Sequence, residues 1–173
     1  MKIPDVCKLL KDELLDTGFE YGFFLDGKKY LPDRSKGFDE AFFNLLLTVY
    51  RVQDPADTRR MKVGTCNDAV VLMKEILDCN NVNNTIWLLH DLAKDTYHTV
   101  LTFRCEDKTV YLELTPQYNK DRYGKEQIFG ADAGFIQEFE GRGYEVVDVT
   151  EEVVIGDRPD FILSRMHREQ TGD

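Results

Sequence analysis

Apolar residues recur every three or four positions in three stretches of the first half of the chain. This spacing predicts helices over residues 3–15, 38–52 and 66–77. The third stretch has the widest apolar face, which indicates a central helix that is covered on more than one side. Residues 18–32 are aromatic and interrupted by glycine, and they are expected to form a loop or short strands.

The second half of the chain changes to short apolar runs, which are typical of strands. These runs cover residues 85–89, 99–103, 109–114 and 144–149. A further helix is expected over residues 132–140, and the polar tail from Arg165 is expected to fray. Helices followed by a series of strands predict an α+β fold with an antiparallel sheet.

Size and charge narrow the class of protein. The 173 residues are 42% hydrophobic, which suits one domain over residues 1–173 with a full core. The net charge of −10 argues against a nucleic-acid surface and against docking on anionic lipid, since both need clustered lysine and arginine. Apolar runs are too short to span a bilayer, which takes about 18 residues. No membrane or nucleic-acid partner is therefore expected.

The four cysteines are far apart in sequence and form no Cys-x-x-Cys pair. They are Cys7, Cys66, Cys79 and Cys105. Charged residues interrupt the first part of the chain, so it lacks the apolar core of an export signal. We therefore expect free thiols in a reducing cytoplasm rather than disulfides. The cysteines and histidines also lack the spacing of zinc ligands, so neither a metal nor another cofactor is expected.

Cys66 stands where the most apolar helix begins. Thr65 and Asp68 match the capping box that precedes such a helix, so Cys66 is predicted to be its first residue. The unpaired amides and the helix dipole there favour a thiolate over a thiol. Gly64 would leave room for a substrate backbone, and the same amides could form part of an oxyanion hole. The alternative is that Cys66 is an inert thiol of the core.

A cysteine nucleophile needs a base, and the chain has three histidines. His167 lies in the polar tail and is expected at the surface. His90 ends a predicted strand, where a role at an edge or in a loop is expected. His98 opens the next predicted strand, where a buried imidazole would need a partner.

The hairpin that follows His98 supplies that partner. Hairpin loops of two or four residues around positions 106–108 put His98 on the same face as Tyr111 and Glu113. A glutamate can span the diagonal distance of about 7–8 Å between those backbone positions. Glu113 is therefore predicted to orient the imidazole as the third member of a triad. The alternative is a polar pair across the strands that has no catalytic role.

The stretch Gly64-Thr65-Cys66-Asn67-Asp68-Ala69-Val70 resembles the Gly-x-Cys-x-Asp-x-Ala stretch of microbial transglutaminase-like domains. His98 and Glu113-Leu114-Thr115-Pro116 match the family's histidine and acid positions, and the resemblance covers about residues 58–117. It implies a papain-like core with the Cys66 helix packed on an antiparallel sheet. Two features depart from the family. The acid is usually aspartate, with Asp95 and Asp107 as weaker candidates here, and the side chain that completes the oxyanion hole is not evident, with Tyr50 and Gln53 as candidates.

The function expected from the resemblance is acyl transfer from an amide through a thioester. This would make the chain a cysteine-dependent amide hydrolase or acyltransferase that uses Cys66, His98 and Glu113 on a peptide, protein or small amide. Hydrolysis is favoured because water is always present. Transfer from a thioester donor to an amine is a second enzymatic possibility. The alternative that is not an enzyme is a transglutaminase-like module that binds a partner and has lost its catalytic activity.

Overall fold

The computed structural model describes residues 1–116 and 121–171, with side chains as far as Met166. The helices of this part are α1 (Ile3–Leu14), α2 (Glu40–Val49), α3 (Pro55–Met61), α4 (Cys66–Cys79), α5 (Asp132–Glu140) and α6 (Asp160–Thr171). The strands are β1 (Glu20–Tyr21), β2 (Phe23–Leu25), β3 (Lys28–Tyr30), β4 (Val63–Gly64), β5 (Asn84–Asp91), β6 (Thr96–Cys105), β7 (Lys108–Leu112), β8 (Glu126–Phe129) and β9 (Tyr144–Asp148). Within these ranges no helix is long and apolar enough to cross a bilayer.

The centre of the fold is a five-stranded sheet with the order β8-β7-β6-β5-β9, in which every neighbouring pair is antiparallel. Helices α1 and α4 pack on one face through a large apolar cluster that includes Leu10, Leu72 and Leu101. Helix α5 covers the other face through Phe135 and Phe139. The predicted α+β fold, with the Cys66 helix against an antiparallel sheet, is confirmed at this level.

Three helical segments differ from the prediction. The helix expected over residues 38–52 stops at Val49, because Val52 continues as extended chain and exchanges hydrogen bonds with Gly156 and Asp157. Helix α3 was missed, since Asp54-Pro55 signals a turn as well as a helix start, with Asp54 as the cap and Pro55 in the first turn. The tail from Arg165, expected to fray, lies in α6 as far as Thr171.

The β6–β7 hairpin has the predicted parity. Arg104 pairs with Thr109 and Cys105 with Lys108, which leaves Glu106 and Asp107 as a two-residue loop. Both loop residues have positive φ, 50° and 57°, as a type I′ turn requires. Thr99, Leu101 and Phe103 therefore face α4, while His98, Val100 and Thr102 belong to the opposite side of the strand.

Candidate active site

The structure places Cys66 at the first position of α4, as predicted. Thr65 is the cap, and the reciprocal capping box with Asp68 is present. The Thr65 amide donates to Asp68 Oδ2 over 2.7 Å. Cys66 is buried, with 9% of the residue exposed. The start of a helix that is buried on several sides fixes where this thiol lies.

Asp68 does more than close the capping box. Its Oδ1 accepts hydrogen bonds from the Gln53 amide at 2.7 Å and from the Tyr50 hydroxyl at 2.8 Å. Burial raises the pKa of Asp68 to about 6, although these hydrogen bonds pull it the other way. The first turn of α4 is thus tied to residues 50–53, a long-range connection that the capping pattern does not reveal.

Tyr50 and Gln53, the candidates for an oxyanion side chain, support the cap instead. The Tyr50 hydroxyl donates to Asp68. The Gln53 side chain accepts from the Phe24 amide at 2.6 Å and donates to the Val63 carbonyl at 2.9 Å. With these partners, the polar groups of both side chains are committed to holding the backbone around Cys66.

Gly64 also has a structural role. A Cβ placed on this residue would lie 2.7 Å from Cβ of Asp68 and 2.9 Å from Cζ of Phe19. A glycine is therefore needed because the capping carboxylate and an aromatic ring occupy that space. The expectation that Gly64 leaves room for a substrate backbone is replaced by this packing explanation.

His98 and Glu113 are in direct contact, as the hairpin parity predicted. His98 Nε2 is 2.6 Å from Glu113 Oε2, and the residues are 2% and 3% exposed. Burial would lower the pKa of His98, but the charge of Glu113 and hydrogen bonds with Cys66 and Glu113 raise it to about 9. Burial raises the pKa of Glu113, and the charge and hydrogen bond of His98 outweigh this and lower it. Both shifts favour an imidazolium beside a carboxylate.

The thiol of Cys66 also influences the imidazole, since it is among the causes that raise the pKa of His98. Glu113 contacts His98 through Nε2. The next residue of β6 reaches the helix that Cys66 opens: the Thr99 hydroxyl donates to Asn67 Oδ1 over 2.7 Å, which fixes β6 to the first turn of α4. The structure therefore brings His98 and Glu113 into direct contact and ties their sheet to the helix that begins at Cys66.

Two neighbours that the sequence reasoning did not assign hold the Glu113 carboxylate. The Tyr111 hydroxyl donates to Oε2 over 2.6 Å, and the Thr115 amide donates to Oε1 over 2.8 Å. The parity that predicted Glu113 also placed Tyr111 on its face, so a signal for this contact was present. Together these donors fix a glutamate, with its extra methylene, against the imidazole.

The other titratable candidates have different positions and partners. Asp95 pairs with His90 at 2.9 Å, and Tyr97 stacks on the same imidazole at 4.3 Å. Asp107 lies in the hairpin loop, about 25 Å along β6 from His98 at the usual rise per residue. His167 is in α6 and its side chain lies outside the described part.

The remaining thiols are separate from the site, and all four cysteines are free. Cys7 and Cys105 are buried, and Cys79 is exposed. In the described residues no group of three or more histidine, cysteine or acidic side chains is arranged to hold a metal ion. No protein-family model matches the chain, and no curated protein has a significantly similar sequence.

We expect Tyr111→Phe to disturb the histidine without unfolding the protein. The variant removes one donor from Glu113 Oε2 but keeps the ring contacts with Phe135 and Phe139. Because that hydrogen bond helps to keep the pKa of Glu113 low, its loss makes the carboxylate a stronger acceptor for the imidazole proton. The pKa of His98, measured by NMR titration, should rise further above its ordinary value.

Tyr144→Phe is the matched control for this prediction. Tyr144 also packs against Phe139 and borders the same small cavity of about 20 Å³ beside His98 and Glu113. Its hydroxyl makes no hydrogen bond with a described residue. The control should leave the titration of His98 unchanged, and an equal response of both variants would contradict the assigned role of Tyr111.

Proposed function

We propose that this chain is a cysteine-dependent amide hydrolase in which Cys66 is the nucleophile, His98 the general base and acid, and Glu113 the group that orients His98. The observation that carries this proposal is the buried imidazole that contacts Glu113 at 2.6 Å and whose pKa the thiol at the start of α4 also raises. An imidazole under the influence of both a carboxylate and a cysteine at a helix N-terminus has the partners that a cysteine nucleophile needs.

The proposed reaction begins with Cys66 and His98 as thiolate and imidazolium. The sulfur attacks the carbonyl carbon of the amide and forms a C–S bond, and the carbonyl oxygen takes the negative charge. His98 then gives its proton to the amide nitrogen, the C–N bond breaks, and the amine leaves a thioester on Cys66. Water next attacks the thioester and gives a proton to His98. The thiolate departs, and the carboxylic acid is released.

An amine that takes the place of water in the second half would make the same site an acyltransferase. The chemistry of the first half is unchanged, because the thioester is common to both reactions. We favour hydrolysis, since it requires no second binding site for an acceptor.

We assign the stabilisation of the oxyanion, the negatively charged carbonyl oxygen of the substrate, to the first turn of α4. Within the described part, the amides of Thr65, Asn67 and Ala69 already donate inside the cap. The Cys66 amide lies beside the sulfur and has no acceptor among the described residues, so it is the donor that the developing charge would meet. The helix dipole adds to this stabilisation.

We also propose that α4 and strands β5 to β7 form a core of the transglutaminase-like kind. The support is the resemblance of residues 64–70 together with the order of elements: a cysteine opens α4, a histidine lies in β6, and an acid follows β7 directly before Leu114-Thr115-Pro116. A glutamate at the acid position departs from that family. The two further donors on its carboxylate offer a physical reason why it is tolerated.

Limited alkylation tests the proposal without a known substrate. With iodoacetamide at neutral pH, we expect Cys66 to react at least about tenfold faster than Cys79, because it lies at a helix start next to a basic side chain, the setting of reactive cysteines. Cys79 is the internal control, since it is an exposed thiol of the same chain. Burial and the charge of Glu126 raise the pKa of Cys7 to about 11, and burial raises that of Cys105, so both should react slowly. Peptide mass spectrometry gives the four rates.

Slow alkylation of Cys66 would support the alternative, in which the protein binds a partner and has no catalytic activity. The low exposure of Cys66, 9%, is the observation that favours this alternative. The variant His98→Ala shows whether access to the Cys66 thiol or its activation by the imidazole determines the alkylation rate. If the site is active, the variant lowers the Cys66 rate to the level of Cys79 or below. If Cys66 is merely buried, its rate is slow in both proteins.

A further inference from the structure

A second feature of the molecule is a cavity of about 260 Å³ whose lining does not include Cys66, His98 or Glu113. Its walls are mainly apolar and aromatic, and they include Phe23, Phe24, Tyr50 and Ile155. Nine water molecules would occupy about this volume, so it suits an apolar group of roughly ten heavy atoms. Displacing water from aromatic walls favours the binding of such a group.

The rim of the cavity is fixed by the backbone. The Val52 amide donates to the Asp157 carbonyl at 2.9 Å, and the Gly156 amide donates to the Val52 carbonyl at 2.8 Å. Gly156 has φ of 84°, a conformation that other residues rarely adopt. A pocket formed in this way loses little entropy when a ligand enters.

The charges around the cavity indicate the sign of its ligand. Asp54 accepts from the Ala56 amide as the cap of α3, and Asp57 is paired with Arg60 at 2.7 Å. Arg51 also lines the cavity, and it forms neither an ion pair nor a hydrogen bond with any described residue. The charge of Asp57 is therefore balanced by Arg60, and Asp54 keeps its charge but directs an oxygen at the start of α3. Arg51 is the basic residue of the lining that has no carboxylate partner among the described residues, so its guanidinium is available to a carboxylate ligand.

We propose that this cavity binds a small carboxylate with an aromatic body, with the ring against Phe23 and Phe24 and the carboxylate on Arg51. The inference goes beyond the proposed reaction and does not depend on it. The two sites nevertheless share a wall, because Tyr50 lines the cavity while its hydroxyl donates to Asp68 in the cap of the Cys66 helix.

The test is an NMR titration of the full chain with hydrocinnamate and with benzylacetone, a neutral ketone of similar shape. We expect saturable shifts of the Phe24, Gln53 and Gly156 amides with both ligands. Hydrocinnamate should bind about fivefold more tightly, the size of effect that a partly exposed ion pair gives. Arg51→Gln should reduce its affinity to that of the ketone.

Arg104→Gln is the matched control, because Arg104 is also exposed but lies near the β6–β7 turn. It should change neither affinity. The proposal is overturned if hydrocinnamate does not saturate, if it shifts other regions instead, or if its advantage over the ketone is absent or survives Arg51→Gln. The measurement needs no turnover, so a negative result leaves the proposed chemistry of Cys66 untouched, and an inactive Cys66 leaves this pocket untouched.

Discussion

Replacing Cys66 with alanine is expected to abolish cleavage of amide substrates, with a loss on the order of a millionfold or to below detection. The variant removes the atom that forms the thioester in the proposed reaction. His98→Ala should cost a comparable amount, because members of such a unit act together. Screening a peptide library by mass spectrometry, followed by rates on the best substrate, measures both losses.

Cys79→Ala is the control, since it removes an exposed thiol at the far end of the same helix. It should retain the rate of the unmodified protein. Circular dichroism should show that Cys66→Ala and Cys79→Ala are folded, because each removes a small side chain. His98→Ala leaves the buried carboxylate of Glu113 without its imidazole, so its rate is measured at a temperature where circular dichroism shows it folded. Cleavage that persists in Cys66→Ala would move the nucleophile to another residue.

Glu113→Gln should lower the rate by roughly a hundredfold to a thousandfold but leave measurable activity. The nucleophile and the base remain, while the charge that supports the imidazolium is lost. Burial then dominates, so the pKa of His98 should fall from about 9 to below its ordinary value. Glu145→Gln is the matched control, because Glu145 lies 3.6 Å from the other buried histidine, His90.

The same variant should change how stability depends on pH. The raised pKa of His98 means that the folded state holds its proton more tightly than the unfolded state does. This contribution to stability is fully present below the ordinary pKa of 6.5 and is lost as the pH rises through about 9. Urea unfolding at about pH 6 and pH 10 should show this loss in the unmodified protein and much less of it in Glu113→Gln. If both proteins lose the same stability between these two pH values, Glu113 does not raise the pKa of His98 in solution.

The positions of Cys66, His98 and Glu113 in the fold could be predicted because each depends on a local rule. A capping box places Cys66 at a helix start, and hairpin parity places His98 and Glu113 on one face. The helices over α1, α4 and α5 follow from periodicity in the same way. None of these steps requires knowledge of contacts between distant segments.

The features that were missed depend on contacts that are distant in sequence or on ambiguous signals. Asp68 binds Tyr50 and Gln53, which are 18 and 15 positions away, and no pattern in a single sequence links them. Strand β8 escaped notice because its polar residues pair only at the edge of the sheet, against β7. The hydroxyl of Tyr111 was predicted on the correct face, but an aromatic residue in a strand is more often read as packing.

The two-residue loop at Glu106 and Asp107 has a consequence for sequence variation. Both residues adopt positive φ, and together they set which residues of β6 and β7 lie side by side. One inserted or deleted residue, with the strands still paired, would reverse the parity and turn Glu113 away from His98 towards the α4 side of the sheet. The length of a surface loop therefore decides whether His98 and Glu113 can meet, as much as the two buried side chains do. The side chain of Glu106 has a separate task, since it accepts a hydrogen bond from the Ile3 amide at the start of α1 over 3.1 Å.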